Sequence, residues 1–502
     1  MKILSAEQIR QWDQFTIEHE PIASVDLMER AATKCTEWLM ENFPDGNRFN
    51  IFCGKGNNGG DGLAIARQLM EKDYAVRIYI LEFGHKGTAD FQVNLARLHK
   101  IPGADIHFIQ TTDHFHEISR KEIIIDAIFG SGLNRPLEGI TAQLVQHINS
   151  SHCPVVSIDI PTGLFTDHSS KGNIIVQADH TLTFQCFKAA FLMPENESAA
   201  GQVHLLDIGL SSQYIKAIDC NYELVDDSIV SNIYNPRKKF SHKGSFGHAL
   251  IMAGSYGKMG AAVLATKACL RAGCGLVTAY LPSGGNAIMQ QSVPEAMVAT
   301  DINPSIITEL TENTDRFDAI GAGPGIGTAS ETREALSALF KNYNKPVVAD
   351  ADALNIIARN IDLLKIIPAS SIITPHPKEF ERLFGTTAND FERIDLAQKK
   401  ASEYNIIIVL KGHHTLIALP GGKAYFNSTG NAGMATAGTG DVLTGIITGL
   451  LAQGYQPANA AVLGVYLHGL AGDWAAKQQS EEAMIAGDII ENLGKAFRAI
   501  IA

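Results

Sequence analysis

The chain has 502 residues, enough for two or three domains with separate cores. Hydrophobic residues make up 45% and charged residues 19%, as in globular proteins, and a net charge of -12 argues against a nucleic-acid-binding surface. The N-terminus lacks the apolar core of a signal peptide, and no apolar run is long enough to span a membrane. Because the cysteines are scattered without a CxxC pair, we expect reduced thiols in a cytoplasmic protein.

The first half of the chain alternates helices with apolar strands. Helices are predicted at 6–18, 25–43, 60–72, 88–100 and 141–149. Strands are predicted at RFNIFCG, AVRIYIL, a short run near Ile106, IIIDAIFG, PVVSIDIP, HTLTFQ and VHLLDIG. Strands without polar alternation that are separated by helices are typical of a parallel sheet covered on both faces. The sequence therefore predicts a first α/β domain over residues 1–220.

A second alternation of the same kind follows a polar stretch, 221–234, which we predict to be a linker. Its strands are predicted at GHALIMAGS, LVTAYLP, FDAIGAGPG, PVVADAD, SIITPHP and NIIIVLKG. A long helix is predicted from Gly260, another helix at 331–341, a hairpin at TLIALPGGKAYFN, and three helices at the C-terminus. This pattern predicts a second α/β domain over residues 235–502 with a mainly parallel sheet.

The motif GKGNNG, residues 54–59, matches the G-x-G-x-x-G pattern of dinucleotide-binding loops. It follows a predicted strand and opens a predicted helix, as that pattern requires. However, Asn57, Asn58 and Asp61 crowd the loop with oxygen-bearing side chains. An aspartate beside a diphosphate is repelled unless a cation lies between them. The loop therefore differs from that of an ordinary NAD-dependent dehydrogenase.

Further oxygen-bearing side chains stand at or just after the carboxyl ends of predicted strands, the edge at which α/β sheets bind ligands. Asp126 and Asp159 occupy such positions, and Thr162 follows shortly after. Asn58, Asp126 and Thr162 offer hard oxygen donors that suit an alkali or alkaline-earth cation and do not suit zinc. On spacing alone, separate turn and cap residues with no common site remain an equal alternative.

The segments GNNGGDGL, DAIFGSGLNRP and DIPTG, in this order and spacing, resemble the NAD(P)HX epimerase family of the YjeF N-terminal type. The resemblance covers residues 1–215 and implies a Rossmann-like three-layer domain that interconverts the R and S forms of hydrated NAD(P)H and binds K⁺. It implies nucleotide contacts at Asn57, Asn58, Gly59, Gly60 and Asp61. It implies a phosphate-wrapping loop of Gly130, Ser131, Gly132, Leu133, Asn134, Arg135 and Pro136. It implies K⁺ ligands at Asn58, Asp126 and Thr162.

The same resemblance puts Asp159 beside the reacting ring, where a carboxylate can act as acid or base during epimerisation at C6. Lys188 is a weaker candidate for its partner. Two positions depart from the family pattern: Thr162 replaces a serine and keeps the hydroxyl, and Ala190 replaces a common glycine. The second departure leaves the placement of Lys188 open.

A second glycine-rich segment, AGTGDVLTGII, puts Gly438, Gly440 and Asp441 at a predicted helix start. Amide groups at a helix N-terminus attract anions, and the helix dipole is expected to keep Asp441 ionised. A carboxylate here can accept a proton from a hydroxyl that attacks a phosphate. The alternative is an acidic residue that only stabilises its helix. No Walker-type P-loop occurs in the sequence.

GTGD resembles the ribokinase-like superfamily, and the ordered motifs HKGSFGHALIMAGS, GAGPGIG, DADALN, TPHPKEFERL, VLKGHHT and NAGMATAGTGD resemble the ADP/ATP-dependent NAD(P)HX dehydratase family over 235–502. The resemblance implies a ribokinase-like α/β domain that uses ADP or ATP, and we expect Mg²⁺ to shield the donor phosphates, as phosphoryl transfer generally needs. The implied nucleotide contacts are Lys411, Gly412, His413, His414, Thr415, Gly438, Thr439 and Gly440. The implied substrate site consists of Ala261, Gly323, His376 and the catalytic Asp441.

Some of these assignments have alternatives. Ala262 and Gly325 are alternatives to Ala261 and Gly323, and His376 could be a turn residue whose ring is satisfied by the backbone. The fused architecture resembles bacterial bifunctional proteins that favour ADP.

We therefore predict an enzyme that epimerises NADHX and NADPHX and dehydrates the S form to NAD(P)H, converting ADP to AMP and phosphate. A vitamin or sugar kinase with an accessory nucleotide-binding domain is the main alternative, and a non-catalytic N-terminal binding module is another. We expect a homo-oligomer whose partners are these small molecules, with no nucleic acid and no membrane.

Overall fold

The computed structural model describes residues 1–43, 46–84 and 86–501. The chain forms two compact units. The first unit comprises Lys2–Cys220 and Asn389–Phe391, and the second comprises Met1, Asn221–Ala388 and Glu392–Ala502. The domain boundaries predicted at 220 and 235 stay predictions.

The first unit is built from short strands and amphipathic helices in alternation. Its strands are β1 (Lys2–Ile3), β2 (Arg48–Cys53), β3 (Ala75–Leu81), β4 (Asp105–Ile109), β5 (Ile123–Ala127), β6 (Val155–Ile158), β7 (His180–Phe184) and β8 (Gln202–Leu206). Its helices are α1 (Ala6–His19), α2 (Ser24–Asn42), α3 (Asn57–Met70), α4 (Ala89–Leu98), α5 (Gly139–Ser150), α6 (Glu197–Ala200) and α7 (Ser212–Ala217).

Strands β2 to β8 form one parallel sheet in the order β4-β3-β2-β5-β6-β7-β8. The chain leaves β2 towards β3 on one side, and β5 later pairs with β2 on the other side. The loops after β2 and β5 therefore diverge, and ligands bind at such a switch point in α/β sheets.

Both faces of this sheet are covered. Leu63 and Ile65 of α3 pack with Ile51 on one face. Leu144 and Val145 of α5 belong to a second apolar cluster, which contains the buried strand residues of the other face. Because side chains alternate between the faces of a strand, two apolar layers require apolar residues at nearly every strand position. This explains the continuous apolar runs in the sequence and confirms the predicted three-layer α/β fold.

The second unit follows the same construction with a larger sheet. Its strands are β9 (Tyr222–Leu224), β10 (His248–Met252), β11 (Leu276–Pro282), β12 (Met297–Asp301), β13 (Ala319–Ala322), β14 (Val347–Ala349), β15 (Ile372–Ile373), β16 (Ile407–Leu410), β17 (Leu416–Ala418) and β18 (Ala424–Phe426). The remaining helices of the chain are α8 (Asp227–Ile233), α9 (Met259–Arg271), α10 (Asn286–Ser292), α11 (Ser330–Asn342), α12 (Asp352–Arg359), α13 (Pro377–Phe384), α14 (Asp390–Tyr404), α15 (Thr439–Ala452), α16 (Pro457–Gln479) and α17 (Ala486–Ile501).

These strands are ordered β9-β18-β17-β16-β15-β14-β13-β10-β11-β12. The pairs from β16 to β12 are parallel, and β17 makes antiparallel pairs with β16 and β18. The switch point of this sheet lies between β10 and β13, which pair directly although they are distant in sequence. Residues that follow β10, β13, β14, β15 and β16 therefore meet at one edge.

Helix α15 occupies the centre of the second unit. From Val442 to Ala452 every residue is buried, and α15 packs against α9 and α16 in one apolar cluster. Apolar residues on all sides of a helix indicate a position inside the core. The site at the N-terminus of α15 is consequently held on a rigid element.

The structure differs from the sequence expectations mainly at weak or short elements. Helix α3 begins at Asn57 and not at Gly60, because the Gly60 N–H already bonds the Gly56 carbonyl at 3.1 Å. The predicted linker 221–234 contains β9 and α8, whose Leu224 and Val230 are buried. Helix α10 and strand β12 were not predicted, since the β12 segment MVATD is short and only its last residue is buried.

None of the helices in the described part of the chain combines the length and apolarity that crossing a bilayer requires. All seven cysteines are free thiols, and all except Cys220 are buried. This agrees with the expectation that most of them are small apolar core residues.

Two candidate active sites

The first site is a cavity of about 1190 Å³ at the switch point of the first sheet. The predicted residues that line it are Asn57, Asn58, Asp61, Gly130, Ser131, Gly132, Leu133, Asn134, Arg135, Pro136 and Asp159. Gly59, Gly60, Asp126, Thr162 and Lys188 are buried behind this lining. A Cβ atom added to Gly130 would lie 3.0 Å from Asp159 Oδ2 and 3.3 Å from Asn58 Cβ. The three sequence motifs therefore converge on one cavity.

Asp159 and Lys188 form an ion pair at the wall of this cavity. Lys188 Nζ lies 2.8 Å from Asp159 Oδ1, and the Lys188 side chain is fully buried. Asp159 Oδ2 accepts a hydrogen bond from the Ser131 N–H at 2.9 Å. Burial raises the pKa of Asp159, but the Lys188 ammonium and the Ser131 N–H outweigh it and hold the pKa below its usual range. The structure thus brings together the two residues that the sequence proposed as an acid/base pair.

The backbone at Asp159 is strained, since its φ of 69° lies in the left-handed region that non-glycine residues avoid. Such strain persists only where surrounding contacts hold it, and it is concentrated at functional sites. Here the ion pair with Lys188 and the bond from Ser131 supply those contacts.

Asp126 and Thr162 form a buried hydrogen-bonded group beside the cavity. Thr162 Oγ1 donates to Asp126 Oδ1 at 2.6 Å, and Asp126 Oδ2 accepts from Ser157 Oγ and from the Thr162 N–H, each at 2.8 Å. Burial raises the pKa of Asp126, and these hydrogen bonds oppose the shift. Asn58, in contrast, is buried with no partner for either Oδ1 or Nδ2 among the described residues. A buried amide without a partner points to a missing ligand.

Four further acidic residues line the cavity or its rim: Asp13, Asp61, Asp90 and Glu138. The sequence reasoning selected Asp61 but missed Asp13 and Asp90. Burial and the charges of Asp159, Asp13 and Asp90 raise the pKa of Asp61 well above its usual value. Asp13 lies in the first helix of the chain, far from every motif, so no local pattern marked it.

The second site surrounds the N-terminus of α15. Gly438 precedes the helix with φ of 92°, a left-handed conformation that favours glycine, and Thr439, Gly440 and Asp441 form the first helical turn. First-turn N–H groups lack helical partners, so they are available to an anion. Burial and Asp350 raise the pKa of Asp441 to about 6, and Lys411 opposes the shift. The carboxyl group is therefore ionised at neutral pH, as expected, but its pKa lies above the usual value because of burial and Asp350.

Lys411, from the predicted nucleotide-binding segment, extends towards this helix start. Its Nζ lies 2.9 Å from Asp350 Oδ1 and 4.0 Å from Glu379 Oε2. Thr444 Oγ1 donates to Asp350 Oδ2 at 2.9 Å. A Cβ atom added to Gly440 would lie 3.3 Å from Lys411 Nζ and 3.4 Å from Asp350 Oδ2. Asp350, buried after β14, therefore links the glycine-rich turn at the start of α15 to the lysine.

The sequence reasoning used DADALN as a family motif but did not select Asp350. The signal was present, since Asp350 follows an apolar strand at the binding edge of the sheet. What the sequence lacked was the identity of its two partners, which lie 61 and 94 residues away.

The other residues of the nucleotide segment lie at the surface after β16. Gly412 and His413 are exposed, and Thr415 Oγ1 bonds the Gly412 carbonyl at 3.0 Å. His414 Nδ1 lies 3.1 Å from the Asn427 carbonyl. The segment therefore forms a compact turn beside Lys411.

The structure separates the alternatives for the substrate side of this site. Ala261 is partly exposed, whereas Ala262 is buried in the core. Gly323 is also buried, and a Cβ atom there would lie 1.9 Å from the Asp350 carbonyl oxygen, while Gly325 is partly exposed and faces Ala261. Ala261 and Gly325 are therefore the more exposed alternatives, and the close packing of Gly323 explains why that position needs glycine.

His376 caps helix α13. Its Nδ1 accepts hydrogen bonds from the Lys378 and Glu379 N–H groups at 3.1 and 3.3 Å. Burial lowers the pKa of His376, which keeps the ring neutral and able to accept. The backbone-satisfied alternative thus describes Nδ1, while Nε2 lies 3.5 Å from Glu379 Oε1 and the side chain remains 44% exposed.

Two family models match the chain. One described as YjeF-related protein N-terminus matches residues 24–190, and one described as NAD(P)H-hydrate dehydratase matches residues 249–495. A curated relative from Moorella thermoacetica, "Bifunctional NAD(P)H-hydrate repair enzyme Nnr", is 35% identical over 99% of this chain and 97% of its own length. The chain belongs to the family of bifunctional NAD(P)H-hydrate repair enzymes. The Escherichia coli member is 32% identical over 97% of this chain and 92% of its own length.

A solved structure is similar to the second half of this repair enzyme. It is the ADP/ATP-dependent NAD(P)H-hydrate dehydratase of Bacillus subtilis, co-crystallised with ATP/Mg²⁺, with 30% identity and a TM-score of 0.50 over 56% of this chain and 100% of that one. The predicted ribokinase-like α/β fold is thereby confirmed. The kinase alternative is not favoured, since full-length relatives carry the repair-enzyme name.

Proposed function

We propose that this chain carries out both steps of hydrated NAD(P)H repair, with epimerisation in the cavity of the first unit and ADP-driven dehydration at the N-terminus of α15. The observation that carries the proposal is the presence of two separately built acid/base sites on one chain. Asp159 is paired with Lys188 in one site, and Asp441 stands beside Lys411 and Asp350 in the other.

For epimerisation, the R and S forms differ in the configuration of the hydroxyl on C6 of the nicotinamide ring. Asp159 is held ionised by Lys188 and faces the cavity, so it can accept a proton from the substrate hydroxyl or from an incoming water. Arg135, in the loop 130–136, is exposed at the cavity and can bind the phosphates of the nucleotide.

Asn58, Asp126 and Thr162 would hold the K⁺ ion in this proposal. Their donors are hard oxygens, and the buried Asn58 carbonyl oxygen has no partner among the described residues. An amide, a carboxylate and a hydroxyl are oxygen donors of the kind that alkali cations prefer, whereas zinc prefers nitrogen and sulfur donors. When bound, K⁺ supplies positive charge that offsets the acidic lining of the cavity.

For dehydration, the S hydroxyl oxygen attacks the terminal phosphoryl group of ADP, and Asp441 accepts the hydroxyl proton as AMP leaves. Phosphate is a better leaving group than hydroxide. It departs from C6 and a ring proton is lost, which restores NAD(P)H. The N–H groups of Thr439 and Gly440 stabilise the transferring phosphoryl group. Mg²⁺ bound with the nucleotide shields its phosphate charges.

The assay that tests the proposal uses racemic NADHX with ADP, Mg²⁺ and K⁺, and follows both epimers together with recovery of reduced-nicotinamide absorbance. Consumption of both epimers, with one AMP and one phosphate formed per NADH, is expected. A stable phosphorylated product without NADH would instead support the kinase. Loss of the S epimer alone, with the R epimer decaying at the rate seen without enzyme, would show that the first unit is a binding module without epimerase activity.

Replacement of K⁺ by tetramethylammonium at equal ionic strength should slow epimerisation, because this large cation cannot enter the Asn58 pocket. Return of K⁺ should restore the rate, and dehydration of purified S epimer serves as the internal control. Epimerisation that is insensitive to the exchange would rule out a functional K⁺ site at Asn58, Asp126 and Thr162.

A further inference from the structure

Helix α1 forms one wall of the cavity in the first unit and places Asp13 there. The helix is firmly held at three points. Ser5 caps its first turn, the buried Trp12 donates from Nε1 to the Ser211 carbonyl at 2.8 Å, and Thr16 Oγ1 accepts from the Ser211 N–H at 3.0 Å. Because Trp12 is adjacent in sequence, this anchoring also fixes the backbone from which the Asp13 side chain extends.

The Asp13 carboxyl group has neither a hydrogen-bond nor an ion-pair partner in the described part of the chain, although it is only partly exposed. A half-buried carboxyl group without a partner is costly to keep ionised and contributes nothing to stability. Caps and structural salt bridges have partners, so a purely structural role does not explain this residue. The Asp13 side chain lines the cavity, so the groups available to it are those of a molecule bound there.

Asp13 is electrostatically coupled to the Asp159–Lys188 pair on the strand side of the same cavity. The charged residues that share the lining are Arg10, Asp61, Asp90, Arg135, Glu138 and Asp159. Of these, Arg10 pairs with Glu7 at 3.2 Å and Asp90 accepts from Ser24 Oγ at 2.6 Å. Asp13 and Asp159 therefore present two carboxyl groups to one ligand space from different structural elements.

We propose that Asp13 is a second catalytic residue of the epimerase, the general acid that protonates the departing C6 hydroxyl group. The inference rests on the proposed epimerase function of this cavity. It assigns different tasks to two carboxyl groups in one site: Asp13 donates a proton, and Asp159, held ionised by Lys188, accepts one.

The step balances without any oxidant or reductant. The C6–O bond breaks, its electron pair leaves with the oxygen, and the proton from Asp13 completes a water molecule. The lone pair of the ring nitrogen forms a C=N bond to C6. A water then adds to C6 from the other face, its electron pair forms the new C–O bond, the C=N pair returns to the ring nitrogen, and the surplus proton of the water goes to Asp159. Proton exchange with solvent through the open cavity resets both carboxyl groups.

The protonation states agree with this assignment. Burial and the negative charge of Asp159 raise the pKa of Asp13 to about 7, and Lys188 opposes the shift, whereas the pKa of Asp159 is lowered. Two carboxyl groups whose surroundings move their pKa values apart can serve as acid and base at the same pH. Because a raised pKa means that the protonated form is favoured, the acid is present below about pH 7 and is lost as the pH rises through that value.

The test is the epimerisation rate of Asp13→Asn between pH 5.5 and about 9, after subtraction of the rate without enzyme. At pH 6 we expect a loss of about 100-fold or more, as is typical when a general acid is removed. The wild-type rate should fall about tenfold per pH unit above pH 7, whereas the variant rate should be low and flat. Asp113→Asn, at an exposed position away from the cavity, is the matched control and should keep the wild-type profile.

Dehydration of purified S epimer by the same Asp13→Asn chain reports whether the second unit is folded, and the melting temperature and circular dichroism report on the first unit. That melting temperature should be unchanged or higher, since the ionised Asp13 has no partner to lose among residues 1–43, 46–84 and 86–501. Wild-type activity with an unchanged profile in Asp13→Asn would overturn the inference. So would a wild-type rate that does not fall between pH 7 and 9, whatever the variant does. Absence of epimerisation by the wild type would instead overturn the proposed function itself.

Discussion

Asp441 shows how burial and neighbours outweigh a helix dipole at a single residue. A position in the first turn of α15 should favour the ionised form by a few tenths of a kcal/mol to about 1 kcal/mol. Desolvation and the nearby Asp350 act in the opposite direction and raise the pKa of Asp441 to about 6. The carboxyl group is therefore ionised at neutral pH but close enough to neutrality to exchange protons during catalysis.

The pH dependence of dehydration follows from this pKa. A general base works only when it is deprotonated, so the rate should be constant above pH 7 and fall about tenfold per unit below pH 6. Initial rates with purified S-NADHX, measured at constant ionic strength and saturating ADP, provide the check. An acid limb near pH 4, the usual range of an exposed aspartate, would show that burial does not control Asp441.

Asp350 should fix the position of the Lys411 side chain and raise the pKa of Asp441. In Asp350→Asn, Lys411 loses its closest anionic partner and Asp441 loses the charge that raises its pKa. We expect kcat for dehydration to fall about tenfold to a hundredfold because Lys411 is no longer held in place. The acid limb of the pH profile should move to lower pH, which a purely structural loss would not produce.

The matched control for that substitution is Asp362→Asn, which removes an exposed carboxylate at the surface. It should leave both kcat and the pH profile unchanged. An acid limb that stays at pH 6 in Asp350→Asn would contradict the assigned coupling.

At the level of elements, the close approach of α15 and α9 depends on small residues. Gly445 of α15 faces the α9 backbone, and a Cβ atom there would lie 2.1 Å from the Ala265 carbonyl oxygen and 2.9 Å from Ala268 Cβ. Backbone cannot move aside as a flexible side chain can, so the two helices would have to separate. The same contact holds the N-terminus of α15, and hence the GTGD turn, in position.

Gly445→Ala should therefore destabilise the second unit, by roughly 1–3 kcal/mol or more. The midpoint of urea-induced loss of dehydratase activity should fall. Gly494→Ala in α17 is the control, because a Cβ atom there meets nothing within 4 Å. It should raise the midpoint slightly, since alanine is preferred over glycine inside a helix by about 1 kcal/mol. A midpoint for Gly445→Ala equal to that of the wild type would show that α15 and α9 repack without cost.

At the level of the whole molecule, each unit contains a complete candidate site, so the two activities should be separable by single substitutions. Asp159→Asn should stop epimerisation and leave dehydration of the S epimer intact, and Asp441→Asn should do the reverse. Each variant serves as the folding control for the other.

A mixture of the two variant proteins should repair racemic NADHX completely, because the S epimer formed by one chain can diffuse to the other. The measurement is NADH recovered per NADHX supplied, for each variant alone and for the mixture. Recovery in the mixture no higher than with Asp159→Asn alone would show that the epimer has to pass directly between the sites of one chain.

Much of this architecture could be read from the sequence. Continuous apolar runs at β2, β5 and β6 predict buried parallel strands, and the motifs after them lie at the binding edge of the sheet. The confirmed elements are long or strongly apolar. The elements that were missed, such as β9 and β12, are short, and their residues become buried only through contacts with distant parts of the chain.

The sequence by itself determined the fold class, the family and the motifs that converge on each site, because these depend on local patterns of residue type. Tertiary structure alone decided three features: Asp13 lines the epimerase cavity, Asp350 joins Lys411 to Thr444, and Asp441 has a pKa near 6. Each depends on burial and on charges that are distant in sequence but close in space. Since electrostatic interactions act through space and are strengthened by the loss of water, no reading along the chain could supply them.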